Sequence, residues 1–132
     1  MGKKILIIDD DPDVILFLST FLKDNQYDTI EASDGVDGLE KMRRQNPDLV
    51  LLDLMMPLRS GISVLAEIKK DEYLSNIPII MVTGVAGETG INLESFLKTS
   101  IGKRKEAIKP DGYIEKPIDP EKLLSIIKEK IG

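Results

Sequence analysis

The chain has 132 residues, a net charge of −5, and neither cysteine nor histidine. That length suits one domain able to bury a core without covalent staples. The missing residue types exclude disulfides, thiol chemistry, an imidazole general base and Cys- or His-based metal sites, so a metal bound here takes oxygen ligands, as Mg²⁺, Ca²⁺ or Mn²⁺ do. Lys3 and Lys4 precede the first apolar run, Lys4–Ile8, which is too short for a signal sequence and reads as a strand ending at Asp9-Asp10-Asp11. Asp11 can cap a first helix and Pro12 fits its opening turn, with Val14, Ile15, Leu18, Phe21 and Leu22 as the apolar stripe. A more polar strand, Thr29–Ala32, follows. Asp34-Gly35 opens a second helix with Val36, Leu39 and Met42 inward, and Asn46-Pro47 stops it.

Leu49–Leu52 is a purely apolar strand closed by Asp53, and Ile62, Leu65 and Ile68 mark a third helix. Ile79–Val82 is a fourth strand, closed by Thr83. Residues 84–111 open with glycines at 84, 87 and 90, carry a weak helical pattern and end in the basic cluster Lys103-Arg104-Lys105 with Lys109 beyond. A fifth strand, Tyr113–Glu115, is closed by Lys116, and Asp119-Pro120 starts a last helix lined by Leu123, Leu124, Ile127 and Ile131. Five alternations of apolar run and amphipathic stretch predict a parallel α/β sheet covered by helices, with Thr29–Ala32 and Tyr113–Glu115 polar enough for edge strands. No stretch is long enough for membrane insertion. Residues 1–60 hold 12 acids and 7 bases while residues 61–132 hold 11 of each, so the acidity sits in the half with the aspartate cluster, which argues against direct nucleic-acid binding there.

Asp9, Asp10, Asp53 and Lys116 all follow strand ends, the edge of an open α/β sheet where ligands bind. An acid ending so apolar a strand as Leu49–Leu52 needs a partner. Carboxylates converging from neighbouring strands repel one another unless a hard divalent cation sits among them, and Mg²⁺ suits because it takes one or two carboxylates plus phosphate oxygens. With such a metal the acids become a phosphate site. Lys116 supplies a cation and Thr83 a hydroxyl, a set able to stabilise a transferring phosphoryl group with an aspartate as nucleophile. Other readings of the same residues are blander: Asp9–Asp11 as a solvated helix-capping turn, Met56 and Tyr113 as packing, Lys103–Lys105 as a solvated face or a docking patch for an acidic partner. A calcium loop over Asp9–Asp13 fails, since Val14 stands for the needed glycine and Thr20 for the closing glutamate. The glycines at 84, 87 and 90 lack the Gly-Lys-Ser/Thr of a P-loop.

The strings Ile-Leu-Ile-Ile-Asp9-Asp10-Asp11, Ala32-Ser-Asp-Gly-Val-Asp-Gly-Leu, Asp53-Leu-Met-Met-Pro57, Ile80-Met-Val-Thr83 and Gly112-Tyr-Ile-Glu-Lys116-Pro117, in that order, resemble the receiver domain of bacterial response regulators. The resemblance implies a flavodoxin-like, doubly wound sheet of five parallel strands in the order 2-1-3-4-5 with helices on both faces. It implies that Asp53 accepts a phosphoryl group, and that Asp10, Asp53 and the main-chain carbonyl of Met55 bind Mg²⁺ (or Mn²⁺), with Asp9 acting through a metal-bound water. It further implies that Lys116 pairs with the phosphoryl oxygens beside a cis bond to Pro117. Thr83 and Tyr113 would act as the switch that alters the face built from the last two helices and the fifth strand. The implied partners are a sensor histidine kinase or histidine phosphotransfer protein and a downstream protein target. Residues 1–132 are expected to form a single cytoplasmic receiver domain without an output domain, a switch rather than an enzyme. About thirty positions separate Thr83 from Tyr113 where a typical receiver has nearer twenty, so the output surface departs from the family pattern. The alternatives are a receiver-shaped interaction module that is never phosphorylated and, on a similar fold, an aspartate-nucleophile phosphatase. A flavodoxin is disfavoured by the three acids after the first strand.

Overall fold

A computed structural model describes residues 3–54, 61–83 and 110–132, with the backbone alone for Ile62 and Thr83. Five strands form one sheet: β1 (Lys4–Ile8), β2 (Asp28–Ala32), β3 (Leu49–Asp53), β4 (Ile79–Thr83) and β5 (Gly112–Glu115), in the spatial order β2-β1-β3-β4-β5. All four pairings are parallel. The two polar strands lie at the edges, as their composition predicts. Four helices are described: α1 (Pro12–Asp24), α2 (Gly35–Gln45), α3 (Gly61–Lys70) and α4 (Pro120–Ile131), with a 3₁₀ turn at Leu74–Asn76.

The strand period of two divides the core into two layers. Leu6, Ile8, Val50, Leu52, Ile79 and Met81 pack with Leu39 and Met42 of α2 and Val64, Leu65 and Ile68 of α3. Their neighbours Ile5, Ile7, Leu49, Leu51, Ile80 and Val82 pack on the other face with Leu18 and Leu22 of α1 and Leu123 and Ile127 of α4. Because the central strands are buried on both faces, they are apolar throughout rather than alternating. Each such Leu or Ile contributes about 2 kcal/mol over exposure, which is what holds the polar strand ends in place.

The helix ends follow from local chemistry. Asp11, Asp34 and Asp119 are N-caps, their side chains accepting from the backbone N–H of Asp13, Asp37 and Glu121. Asn46 ends α2 in the left-handed region, φ 47°, just before Pro47. One inward assignment is corrected: Val36 is 58 % exposed. The buried stripe of α2 runs Gly35, Gly38, Leu39, Met42 instead. Gly38 belongs to that stripe because a Cβ there would lie 2.5 Å from Cδ1 of Ile8, so the helix sits close to the sheet and Val36 turns to its flank. The expectations for residues 84–109 lie outside the described residues.

Candidate functional site

β1 and β3 are neighbours, and their register pairs Ile8 with Leu52. The residues that follow, Asp9 and Asp53, therefore leave the sheet side by side. Asp9 is 2 % exposed and Asp53 4 %. Asp9 is tied on both sides: its N–H donates to the carbonyl of Ala32 at 3.1 Å, and its Oδ1 accepts from the N–H of Asp11 at 2.9 Å. Asp11 at the same time caps α1, so the turn that starts the helix also fixes the acid that ends the strand. Asp10 is exposed at the rim. One carboxylate oxygen each of Asp9, Asp10 and Asp53 falls within 4.8 Å of the other two.

Lys116 follows β5, whose register sets Glu115 opposite Thr83. Its Nζ lies 3.5 Å from Asp9 Oδ2 and 3.6 Å from Asp53 Oδ1, bridging the two buried acids. The Lys116–Pro117 bond is cis. Desolvation by burial pushes the Asp9 carboxyl above its ordinary value, and the repulsion of Asp10 adds to this. The Asp11 N–H and the Lys116 charge oppose the rise without cancelling it. For Lys116, burial favours loss of the proton, but the combined attraction of Asp53 and Asp9 outweighs it and holds the ammonium above its ordinary value. Among the described residues, Lys116 thus stands against two buried carboxylates and a third at the rim. An all-oxygen set with surplus negative charge fits a hard divalent ion and no soft one.

The structure brings together four of the sequence-predicted residues, Asp9, Asp10, Asp53 and Lys116. Thr83 closes β4, the strand next to β3, but its side chain lies outside the described residues, as does Met55. Tyr113 pairs with Met81 and is half-buried against the α2–α3 core layer. Sequence reasoning missed Gly61. Its N–H donates to the carbonyl of Leu54 at 2.9 Å, and a Cβ there would overlap the carbonyl oxygen of Asp53 and lie 2.7 Å from the Cα of Leu54. Only glycine lets α3 begin so close to the Asp53 strand end. A glycine opening an apolar helical pattern was the available signal.

Comparison with known proteins agrees with this geometry. A family model described as the response regulator receiver domain matches residues 5–128. Protein PilH of Pseudomonas aeruginosa is 35 % identical over 94 % of this chain and 93 % of its own length. The structure of chemotaxis protein CheY4 of Vibrio cholerae superposes with a TM-score of 0.81 at 28 % identity, covering 98 % of this chain and 99 % of that one. The receiver domain of sensor histidine kinase PA1611 from P. aeruginosa, whose structure has a magnesium ion coordinated in the active site cleft, shares the fold with a TM-score of 0.82 at 24 % identity, covering 100 % and 99 % of the two chains. The chain spans about half the length of several curated transcriptional regulators that it also matches, 48 % for PhoP of Bacillus subtilis. A parallel sheet of order 2-1-3-4-5, an acid cluster on its two central strand ends and a family match over nearly every residue lead to one assignment: the chain belongs to the response regulator receiver domains of two-component signalling.

Proposed function

We propose that Asp53 accepts a phosphoryl group from a phosphohistidine of a sensor histidine kinase or histidine phosphotransfer protein, and that residues 1–132 act as one receiver unit in the cytoplasm. One observation carries this reading. Two almost fully buried carboxylates on adjacent strand ends share Lys116, with a third acid at the rim. A core has no use for that arrangement, and a phosphoryl site does.

In the proposed step a carboxylate oxygen of Asp53 attacks phosphorus. The bond from phosphorus to the donor imidazole nitrogen breaks, and its electron pair stays on that nitrogen. The burial of Asp53 excludes most of the water that would otherwise screen the nearby charges. Lys116 already bridges Asp9 and Asp53, so its three N–H donors stand where the incoming phosphoryl oxygens gather negative charge. Asp9, Asp10 and Asp53, with the Met55 main-chain carbonyl, would hold Mg²⁺ or Mn²⁺, which offsets the repulsion between the acids and the arriving anion. Residues 1–132 contain no histidine, so the donor histidine lies outside them.

Afterwards Thr83 and Tyr113 read the new charge and alter the face formed by β5, α4 and the preceding helix of the family pattern, where a downstream protein docks. Turning a mostly inactive population into a mostly active one requires phosphorylation to favour the active state by roughly 5 kcal/mol. The role is a switch, with self-phosphorylation and slow self-hydrolysis as its only chemistry. The test is intact mass after incubation with Mg²⁺ and acetyl phosphate. The wild type gains one phosphoryl group, Asp53→Asn gains none, and omission of Mg²⁺ prevents the gain. An unchanged wild-type mass would overturn the proposal and favour an interaction module that works without phosphorylation.

A further inference from the structure

Lys116 reaches the acids only because β5 is in one particular register. β5 is a four-residue edge strand at the end of the sheet. Ile114 is its one fully buried side chain, packed on the α1–α4 layer, and Tyr113 on the opposite face is half-buried. A two-residue slip would keep every residue on its present face. β4 and β5 pair in parallel, so no hairpin turn couples their register. Slipping one residue moves Lys116 about 3.3 Å along the strand and inverts its face.

Asp111 ties the entry of β5 to β4. Its N–H donates to the Ile79 carbonyl at 2.8 Å, and its Oδ2 accepts from the Ile79 N–H at 2.8 Å. The same oxygen accepts from Lys69 Nζ at 3.1 Å, which ties the last turn of α3 into the clip. Ile79 opens β4, and β4 is paired along its length with the central strand β3. The residue entering β5 is thereby locked to the first residue of a strand whose own position is fixed by the core. From there the pairing runs Ile80–Gly112 to Thr83–Glu115 and delivers Lys116 just past the sheet edge.

We infer that Asp111, about 16 Å along the strand from Lys116 and at the opposite end of the sheet from the acids, is a positioning residue for the phosphoryl-transfer lysine: it clips β5 to β4 in the register that sets Lys116 between Asp9 and Asp53. The inference rests on the phosphoryl-transfer reading above. It makes a separable demand, because the acid cluster comes from β1 and β3 and is untouched by the register of β5.

The experiment is a double-mutant cycle on phosphorylation by acetyl phosphate at saturating Mg²⁺, followed by intact mass, with Asp111→Ala, Lys116→Met and the double variant. Asp111→Ala slows phosphorylation by about 10- to 100-fold, the range for a misplaced catalytic group, while calorimetry still detects Mg²⁺ binding to the acids that β1 and β3 hold in place. In the Lys116→Met background the same change costs less than about twofold, since there is no lysine left to misplace. Asp111→Asn, which keeps an acceptor for the Ile79 N–H but drops the charge facing Lys69, falls between wild type and Asp111→Ala. It also serves in place of Asp111→Ala should that variant not fold. NMR cross-strand contacts give a readout that needs no phosphorylation: the Ile80–Gly112 and Thr83–Glu115 pairings weaken or shift in Asp111→Ala. Equal slowing by Asp111→Ala with and without Lys116, or wild-type rate together with wild-type cross-strand contacts, overturns the inference. A wild type that gains no mass overturns the phosphoryl-transfer reading instead, and the cross-strand contacts still decide whether Asp111 sets the register.

Discussion

Asp9 shows how a single side chain can be costly to the fold and useful to the site. It is almost fully buried, and desolvation, its largest influence, raises its carboxyl above the ordinary 3.8. For a group raised in this way, the stabilising contribution is complete below the unfolded value and is lost as pH rises through the folded value. The metal-free protein therefore loses stability through Asp9 between acid and neutral pH. Asp9→Asn keeps an acceptor for the Asp11 N–H and removes the buried charge. In EDTA at pH 7 the variant should unfold at higher urea than wild type, with the difference closing toward pH 3.5. With saturating Mg²⁺ the order should narrow or reverse, because the wild type then regains a full ligand set. A variant less stable than wild type in EDTA at pH 7 would show that the attraction between Asp9 and Lys116 outweighs desolvation.

Among the elements, α2 separates stability from function most cleanly. Asp34 accepts from the Asp37 N–H at 2.8 Å and Asn46 closes the other end. Its exposed pairs, Asp37 with Lys41 at 3.0 Å and Glu40 with Arg44 at 2.8 Å, contribute little in water. Asp34→Ala is expected to lower the free energy of unfolding by about 1 kcal/mol in urea titrations while the rate of phosphorylation by acetyl phosphate stays at the wild-type value. A change in that rate would mean that α2 shapes the acid cluster directly. The same element marks where the sequence stops being legible. The caps at Asp11, Asp34 and Asp119 and the five strands can be read directly, because turn chemistry and apolar runs are local. Val36 misleads because an apolar residue at helical spacing carries no record of how closely its helix approaches the sheet. Gly38 set that distance, through the side chain of Ile8 that lies under it. Gly61 and Asp111 were equally hidden, since what makes each matter is a backbone atom of another strand end.

At the scale of the whole molecule, the site exists because the chain order crosses the sheet. Residues 9, 53 and 116 are far apart in sequence, and only the order β2-β1-β3-β4-β5 brings three strand ends together. Motif order along the chain made that convergence legible, but the sharing of Lys116 between two acids depends on register and reach, which spacing does not encode. The arrangement has a global consequence. Asp9 and Asp53 are buried side by side with Lys116 between them, and the packed central strands hold the two carboxylates close in the metal-free fold. A divalent ion that binds the folded state alone must therefore stabilise the entire domain, by about 2.7 kcal/mol at a hundredfold excess over its dissociation constant. For a domain of this size that corresponds to a rise in melting temperature of several degrees, on the order of 10 °C. Calorimetric scans in MgCl₂ against EDTA, with ionic strength matched by NaCl, should show the rise in wild type and its loss on chelation. Asp10→Asn, which removes the rim charge that repels Asp9, should melt no lower than wild type in EDTA and lose most of the Mg²⁺ increment. Equal increments for the two proteins would mean that the rim acid takes no part in holding the ion, and that the buried pair alone binds it.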